Sequence, residues 1–224
     1  MVTTQATALA GYTRLTELIA DLTDAQVAEP SALPGWTRGH VLAHLTNLTA
    51  AMARQAELEG TPTEVYDGGQ AGRDAAIEAA AGRSADEHRA ALAAAVERLT
   101  AAWAGVRDWG APVAYRSGTL LTTVHAVWRE VQIHALDLDL GPVTWSTEFC
   151  EHTIDFLAPR VPDGVRLVLV ADGRRWELGE GEEVELRGSL QDLTAWLAGR
   201  EPAGEVAGPE VALAPWPSAA APAR

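Results

Sequence analysis

The sequence predicts an α+β protein in which an N-terminal four-helix bundle is followed by a smaller α+β domain. Three observations support this fold class: apolar residues recur at helical spacing through residues 4–138, a Gly141-Pro142 pair ends that pattern, and short alternating runs follow it. We therefore assign residues 1–142 to the helical bundle and residues 143–216 to the second domain. Residues 217–224, which are rich in Ala and Pro, are expected to be a disordered tail.

Four long helices are predicted in the first domain. Their apolar positions place them at residues 4–22, 38–58, 85–109 and 119–138. Thr37 is the expected N-cap of the second, and Ser84 with Glu87 forms a capping box before the third. A shorter helix at 73–81 follows a Gly-containing loop. Four amphipathic helices bury their apolar faces most simply as an up-and-down bundle.

Short elements are predicted in the second domain. Helices are expected at 147–157 and 190–198, and strands at 166–171, 175–178 and 183–187. Asp172-Gly173 and the segment 179–181 are typical of hairpin turns. Residues 210–214 are expected to add a further strand.

Composition and charge exclude several classes of function. The formal net charge of -14 disfavours a nucleic-acid-binding protein, because such proteins neutralise phosphates with Lys and Arg. The single cysteine, Cys150, cannot form an internal disulfide, which fits a reducing compartment. There is no signal-peptide pattern and no apolar run of about 18 residues. We therefore expect a cytoplasmic protein that does not bind membranes and is a monomer or a weak homodimer.

A mononuclear metal site is predicted from three side chains on two helices. Glu130 and His134 are four residues apart, so they lie one turn apart on one helix face, and His44 lies on the apolar side of another helix. A Glu-x-x-x-His pair alone is more often structural. A second core-facing histidine favours a metal site, because burying these groups without a partner is costly. Zinc is the best candidate, although another divalent ion would fit. Three roles are open for His40: a fourth metal ligand, a residue behind the ligands, or a polar group near the opening of the predicted metal site.

Several other residues receive structural interpretations. His88 is expected to be exposed on a charged helix face, and Cys150 is not expected to be a nucleophile because no histidine is clearly placed to activate it. Asp137 and Asp139 continue the Glu130 helix, either on a solvated face or behind the metal ligands.

Three segments resemble the mycothiol-dependent maleylpyruvate isomerase family. They are LPGWTRGHVLAHL at residues 33–45, REVQIHALDL at residues 129–138 and LTAWLAGR at residues 193–200. The resemblance covers essentially the whole chain, and its first two segments are specific for the family. It implies a DinB-like four-helix bundle in which His44, Glu130 and His134 hold a catalytic metal ion.

The same resemblance implies a thiol cofactor and a chemistry. Arg73 and Arg200 match arginines that hold the acidic substrate and the cofactor mycothiol, and Arg200 is also expected to be catalytic. His40 is grouped with the cofactor-binding residues. Zinc would hold the mycothiol sulfur as a thiolate, which adds to the cis double bond of maleylpyruvate; rotation and elimination then give fumarylpyruvate. The partners are therefore a small-molecule substrate and a low-molecular-weight thiol.

Two other functions remain open at this point. A mycothiol S-transferase would use the same metal site but release the thiol adduct, and an apolar substrate pocket would favour it over two carboxylate-binding arginines. A non-catalytic binding or regulatory protein would keep the bundle and use its second domain for a small molecule or partner. The three intact ligands speak against that reading.

Overall fold

The computed structural model describes residues 2–217, and the chain divides into two compact units between Val143 and Thr144. The first unit is a helical bundle and the second combines two helices with a small sheet, so the predicted fold class is confirmed. Residues 218–224 of the predicted tail lie outside the described residues.

Six α-helices lie in the described part of the first unit, residues 2–143. They are α1 (Val2–Leu18), α2 (Asp24–Ala28), α3 (Arg38–Glu57), α4 (Gly69–Ala81), α5 (Ala85–Gly105) and α6 (Leu120–Asp137). Helix α1 packs against α6, α6 against α3, α3 against α5 and α5 against α1, which closes a four-helix bundle. Helix α4 packs on α3 outside this ring. Within residues 2–217, no helix combines the length and the apolar character needed to cross a membrane.

The helix ends follow local capping chemistry. Thr37 caps α3 and Ser84 forms a capping box at the start of α5, as predicted, and Thr37 forms a capping box as well. The predicted end of α5 near residue 109 is wrong, because Val106 has an extended backbone that stops the helix at Gly105. Helix α1 also ends earlier than predicted, and the short helix α2 was not predicted at all.

The predicted exposure of His88 is also wrong. Its side chain is only 1% exposed, and Nε2 lies 3.4 Å from the carbonyl oxygen of Ala81. The end of α4 covers this part of α5, which the charges beside His88 in the sequence do not reveal. Burial lowers the pKa of His88 and so favours its neutral form.

Arg38 ties the start of α3 to the end of α6. Its Nε donates to the carbonyl oxygen of Leu138 at 2.7 Å, and Nη2 donates to that of Asp139 at 3.1 Å. Nη1 donates to the Gln26 carbonyl oxygen at 3.2 Å and to the Glu29 carboxylate. A cation at a helix C-terminus satisfies carbonyl groups that the helix itself leaves unpaired. This residue, which we call the Arg38 clamp, fixes the ends of the two helices that carry the predicted metal ligands.

The second unit packs two helices on one side of a three-stranded sheet. Its elements are α7 (Thr147–Leu157), β1 (Gly164–Ala171), β2 (Arg174–Gly179), β3 (Gly181–Arg187) and α8 (Leu190–Leu197). The strand order is β2-β1-β3, with β1 antiparallel to β2 and parallel to β3. Buried residues of both helices and of the strands form one core, which includes Ile154, Leu157, Leu167, Leu169, Leu193 and Leu197.

Two predictions for this unit are wrong. The segment 179–181 does not make a hairpin, because β3 crosses to the other edge of β1 and pairs with it in parallel. A Cβ on Gly181 would lie 2.0 Å from the Gly164 carbonyl oxygen, so glycine there serves a close crossing. Residues 210–214 form no strand; Ala214 instead pairs with the backbone of Arg160.

Candidate metal centre

Helix α3 directs His44 into the bundle. The Thr37 capping box starts the helix, and the apolar residues Val41, Leu42, Leu45 and Leu48 are buried along it. His44 falls among them and is 5% exposed. Trp36, in the loop before the helix, lies with its ring 5.8 Å from the imidazole. The buried apolar residues of α3 and the Trp36 ring therefore pack around this histidine.

Helix α6 presents the other two predicted ligands one turn apart. Oε2 of Glu130 lies 3.0 Å from Nε2 of His134 and 3.0 Å from Nε2 of His44. One ligand atom from each of the three residues lies within 4.8 Å of the others. Ligands held about 2.1 Å from one zinc ion in a tetrahedron are about 3.4 Å apart, so only a small adjustment would admit an ion. Two imidazoles and one carboxylate are also a donor set that zinc accepts.

The charges at this cluster are arranged by hydrogen bonds. Burial acts to raise the pKa of Glu130, but its bonds from His134 and His44 outweigh that effect and hold the pKa well below its usual range. Burial acts to lower the pKa of His134, but bonds to Asp137 and Glu130 raise it to about 9. Burial lowers the pKa of His44, so this imidazole is neutral near pH 7. The Glu130 carboxylate is therefore anionic, which favours the binding of a cation at the cluster.

Asp137 stands directly behind His134. It is fully buried, and its Oδ2 accepts a hydrogen bond from Nδ1 of His134 at 2.7 Å. A carboxylate behind a histidine fixes the ring and makes its other nitrogen a better metal ligand. Of the two readings of Asp137 from the sequence, the structure therefore supports the position behind the ligands.

We predict that Asp137→Asn weakens zinc binding by about 10-fold to 100-fold, because the neutral amide orients His134 less firmly and makes its Nε2 less basic. Zinc affinity measured by competition with a chromophoric chelator tests this. Asp139→Asn is the matched control, since Asp139 is exposed two residues away. Equal affinities of the two variants would contradict the role of Asp137.

Arg73 lies on α4 beside the cluster. Its Nη2 is 3.0 Å from Nδ1 of His44, its Nη1 donates to the Asp74 carboxylate at 2.7 Å, and its guanidinium lies 6.0 Å from the centre of the Tyr66 ring. Arg73 also lines a cavity of about 350 Å³. The sequence-based role of Arg73 in holding an acidic ligand stays a prediction, and its position beside His44 is compatible with that role.

The charge of Glu130 acts on two tyrosines that were not selected from the sequence. Burial raises the pKa of Tyr66 and of Tyr115, and the negative charge of Glu130 raises each further. Both phenols therefore remain protonated and can donate hydrogen bonds. They lie in connecting segments without periodicity, so nothing in the sequence pattern indicated that they approach the site.

His40 is not among the three converging residues, and Arg200 belongs to the second unit. Nδ1 of His40 is 2.7 Å from the Thr37 hydroxyl oxygen, and its Nε2 is 3.3 Å from the Glu78 carboxylate. His40 therefore completes the cap of α3, and its predicted role toward the cofactor stays a prediction. Arg200 donates to the Ala198 carbonyl oxygen at 2.9 Å. Its catalytic and cofactor-binding roles likewise stay predictions.

Cys150 is buried in the second unit, in helix α7. Burial raises the pKa of its thiol, so the reactive thiolate is disfavoured. This agrees with the prediction that Cys150 is not a nucleophile.

Comparisons with known proteins identify the family and the fold. The family model for the mycothiol maleylpyruvate isomerase N-terminal domain matches residues 8–139. A crystal structure of a mycothiol-dependent maleylpyruvate isomerase matches with a TM-score of 0.83 and 24% identity, over 96% of this chain and 95% of that chain. A histidine-to-alanine mutant of that enzyme matches with a TM-score of 0.81, again at 24% identity and the same coverage. No curated protein sequence matches. Since the family model spans more than half of the sequence, the chain belongs to the mycothiol maleylpyruvate isomerase family.

Proposed function

We propose that this protein is a metal- and mycothiol-dependent cis-trans isomerase that converts maleylpyruvate, or a similar cis-enoyl dicarboxylate, to the trans isomer, fumarylpyruvate in the case of maleylpyruvate. The observation that carries the proposal is the convergence of His44, Glu130 and His134 on one point inside the bundle. Membership of the family and the names of the matching crystal structures support the choice of thiol and substrate.

The three converging side chains would hold the ion. Nε2 of each histidine and Oε2 of Glu130 supply the donor atoms, and Asp137 keeps the His134 ring in place. A bound divalent ion supplies a Lewis acid that lowers the pKa of a thiol and keeps its sulfur nucleophilic at neutral pH. With only three protein donors, a bound zinc ion would be able to accept one exogenous ligand.

The isomerisation itself needs a reversible addition. Bound mycothiol would supply a thiolate whose reversible addition to the conjugated double bond would leave a single bond about which the substrate can rotate. The electron pair would be held on the substrate's conjugated carbonyl oxygen, and its return would restore the double bond in the trans form and release the thiol unchanged. The residues of this chain would orient the substrate and stabilise the negative charge on that oxygen.

Residues around the cluster have the chemistry to assist these steps. The guanidinium of Arg73 matches a substrate carboxylate in charge and shape. The protonated phenols of Tyr66 and Tyr115 can donate hydrogen bonds to the oxygen that becomes negative in the enolate. All three groups lie in the bundle unit with the ligands.

Turnover of maleylpyruvate by zinc-loaded protein, followed by ultraviolet absorbance with and without mycothiol, tests the proposal. We expect isomerisation only when both zinc and mycothiol are present. A Cys150→Ser variant should retain this activity, because the nucleophile is the added thiol and Cys150 is buried.

Other outcomes would replace the proposal. Accumulation of a thiol adduct without isomerisation would indicate a mycothiol S-transferase. Absence of turnover with maleylpyruvate and with a panel of simple electrophiles would indicate a binding protein. Loss of activity in Cys150→Ser, with folding unchanged, would contradict the role of the added thiol.

A further inference from the structure

The two histidines of the metal centre have opposite partners on their second nitrogen. Nδ1 of His134 faces the Asp137 carboxylate. An ionised carboxylate has acceptors and no donor, so Nδ1 of His134 is the donor of this hydrogen bond. Nδ1 of His44 faces Nη2 of Arg73 at 3.0 Å. A guanidinium has donors and no acceptor, so Nδ1 of His44 must be the accepting nitrogen.

This contact decides which nitrogen of His44 carries the proton. A neutral imidazole has one N–H, and with Nδ1 accepting from Arg73 that N–H is at Nε2. The 3.0 Å contact between Nε2 of His44 and Oε2 of Glu130 is then a hydrogen bond that the histidine donates. In this tautomer, Nε2 has no lone pair for a metal ion. Metal-binding histidines normally donate their second N–H to an acceptor, as His134 does here and His44 does not.

From the donor beside Nδ1 of His44 we infer that Arg73 couples metal loading to the binding of a carboxylate ligand. Arg73 holds His44 in the tautomer that cannot bind a metal ion until an ion displaces the guanidinium. The displaced guanidinium then binds the carboxylate. The inference rests on the metal site of the proposed function. The proton moves from Nε2 to Nδ1, so the ring is neutral before and after, and Arg73 must leave Nδ1 because two donors cannot share that contact.

Arg73 lines a cavity that its guanidinium could enter after leaving His44. The 350 Å³ cavity that it lines is also bounded by Asn47, Tyr66, Arg54 and Arg98. Arg54 is paired with Asp67, and Arg98 makes a two-point ion pair with Glu57. Arg73 instead divides its contacts among a partly exposed carboxylate, Asp74, the neutral imidazole of His44 and the phenol of Tyr66. A ligand carboxylate in this cavity would therefore gain most from Arg73.

Coupling between two ligands is reciprocal. A carboxylate that draws Arg73 away from His44 must raise the affinity for zinc, and zinc must raise the affinity for the carboxylate by the same factor. Loading of the site would then be most complete when the acidic ligand is present.

Zinc affinity of Arg73→Met tests the inference directly. With no added carboxylate, we expect this variant to bind zinc at least about fivefold more tightly than the wild type, because nothing opposes the ligating tautomer. Arg54→Met is the matched control: it removes a charge from the same cavity without touching His44, and should change zinc affinity less than twofold. Succinate, an unreactive dicarboxylate, should tighten zinc binding by the wild type and not by Arg73→Met.

Nitrogen-15 NMR of the histidine rings gives a second readout that does not depend on turnover. Two-bond proton–nitrogen correlations distinguish the tautomers, and a His44→Gln variant identifies the His44 signals. We expect Nε2–H in the ion-free wild type and Nδ1–H after zinc is added. Nδ1–H in the ion-free protein, or equal zinc affinity of wild type and Arg73→Met, would overturn the inference.

These outcomes separate the inference from the proposed function. Zinc binding without an effect of Arg73→Met would overturn the coupling and leave the isomerase proposal standing. Coupled zinc and succinate binding without turnover would overturn the isomerase and leave the coupling standing. Absence of zinc binding by the wild type would overturn both.

Discussion

His44→Ala is expected to weaken zinc binding by more than about 100-fold and to abolish mycothiol-dependent turnover. Loss of an outer partner of a metal ligand already costs about 10-fold to 100-fold in affinity, so loss of one of three ligands should cost more. Glu130→Gln should have a similar effect, because the neutral amide cannot replace the anion that faces both imidazoles. Metal content after dialysis and chelator competition measure the loss.

His152→Ala is the control for loss of a histidine, and circular dichroism tests whether His44→Ala is folded. His152→Ala removes a histidine of the second unit and should keep the zinc content of the wild type. Circular dichroism should show that His44→Ala retains its helices, since alanine is a strong helix former. Wild-type zinc content in His44→Ala would refute the ligand assignment.

Arg38→Met is expected to lower the free energy of unfolding by about 3 kcal/mol. Hydrogen bonds that involve a charged group contribute about 1.5 to 3 kcal/mol, and the Arg38 clamp makes several, two of them at the end of α6. For a chain of this size, the midpoint of thermal unfolding should fall by about 6 to 12 °C. Denaturant unfolding of metal-free protein measures the effect without a contribution from the ion.

An exposed arginine provides the comparison for this variant. Arg83→Met, in the turn between α4 and α5, should change the free energy of unfolding by less than about 0.5 kcal/mol. Equal stabilities of the two variants would show that the clamp contributes nothing to folding.

The convergence of His44, Glu130 and His134 could be predicted because it depends on helix periodicity. Glu130 and His134 lie one turn apart in any α-helix, and the apolar neighbours of His44 indicate the core-facing side of α3. The three ligand atoms duly lie together in the structure. The long helices were predicted for the same reason, since each repeats its apolar face over several turns.

Contacts between distant segments could not be predicted in this way. The three-residue spacing of His134 and Asp137 permits their contact, but the sequence alone left a solvated aspartate equally open. The approach of Arg73 to His44 depends on how α4 packs on α3. His88 was misjudged because its cover comes from another helix.

The partner of strand β3 in the second unit could not be predicted from its turn residues. Glycines on both sides of Glu180 are typical of a tight turn, and a tight turn usually joins neighbouring antiparallel strands. Here the glycines allow the chain to pass the start of β1 and pair on its other edge. Turn-forming residues therefore indicated a change of direction but not the partner strand.

The Arg38 clamp also determines how far the ligands can move when the bundle bends. At about 1.5 Å per helical residue, His44 is about 9 Å from Arg38, and His134 is about 6 Å from Leu138. If α3 pivots by about 5° at the clamp, His44 is displaced by less than about 1 Å, whereas the far end of the helix, about 28 Å away, swings by about 2.5 Å. The three side chains of the cluster therefore lie close to the clamp, and bending of α3 would displace the opposite end of the bundle much more than it would displace His44.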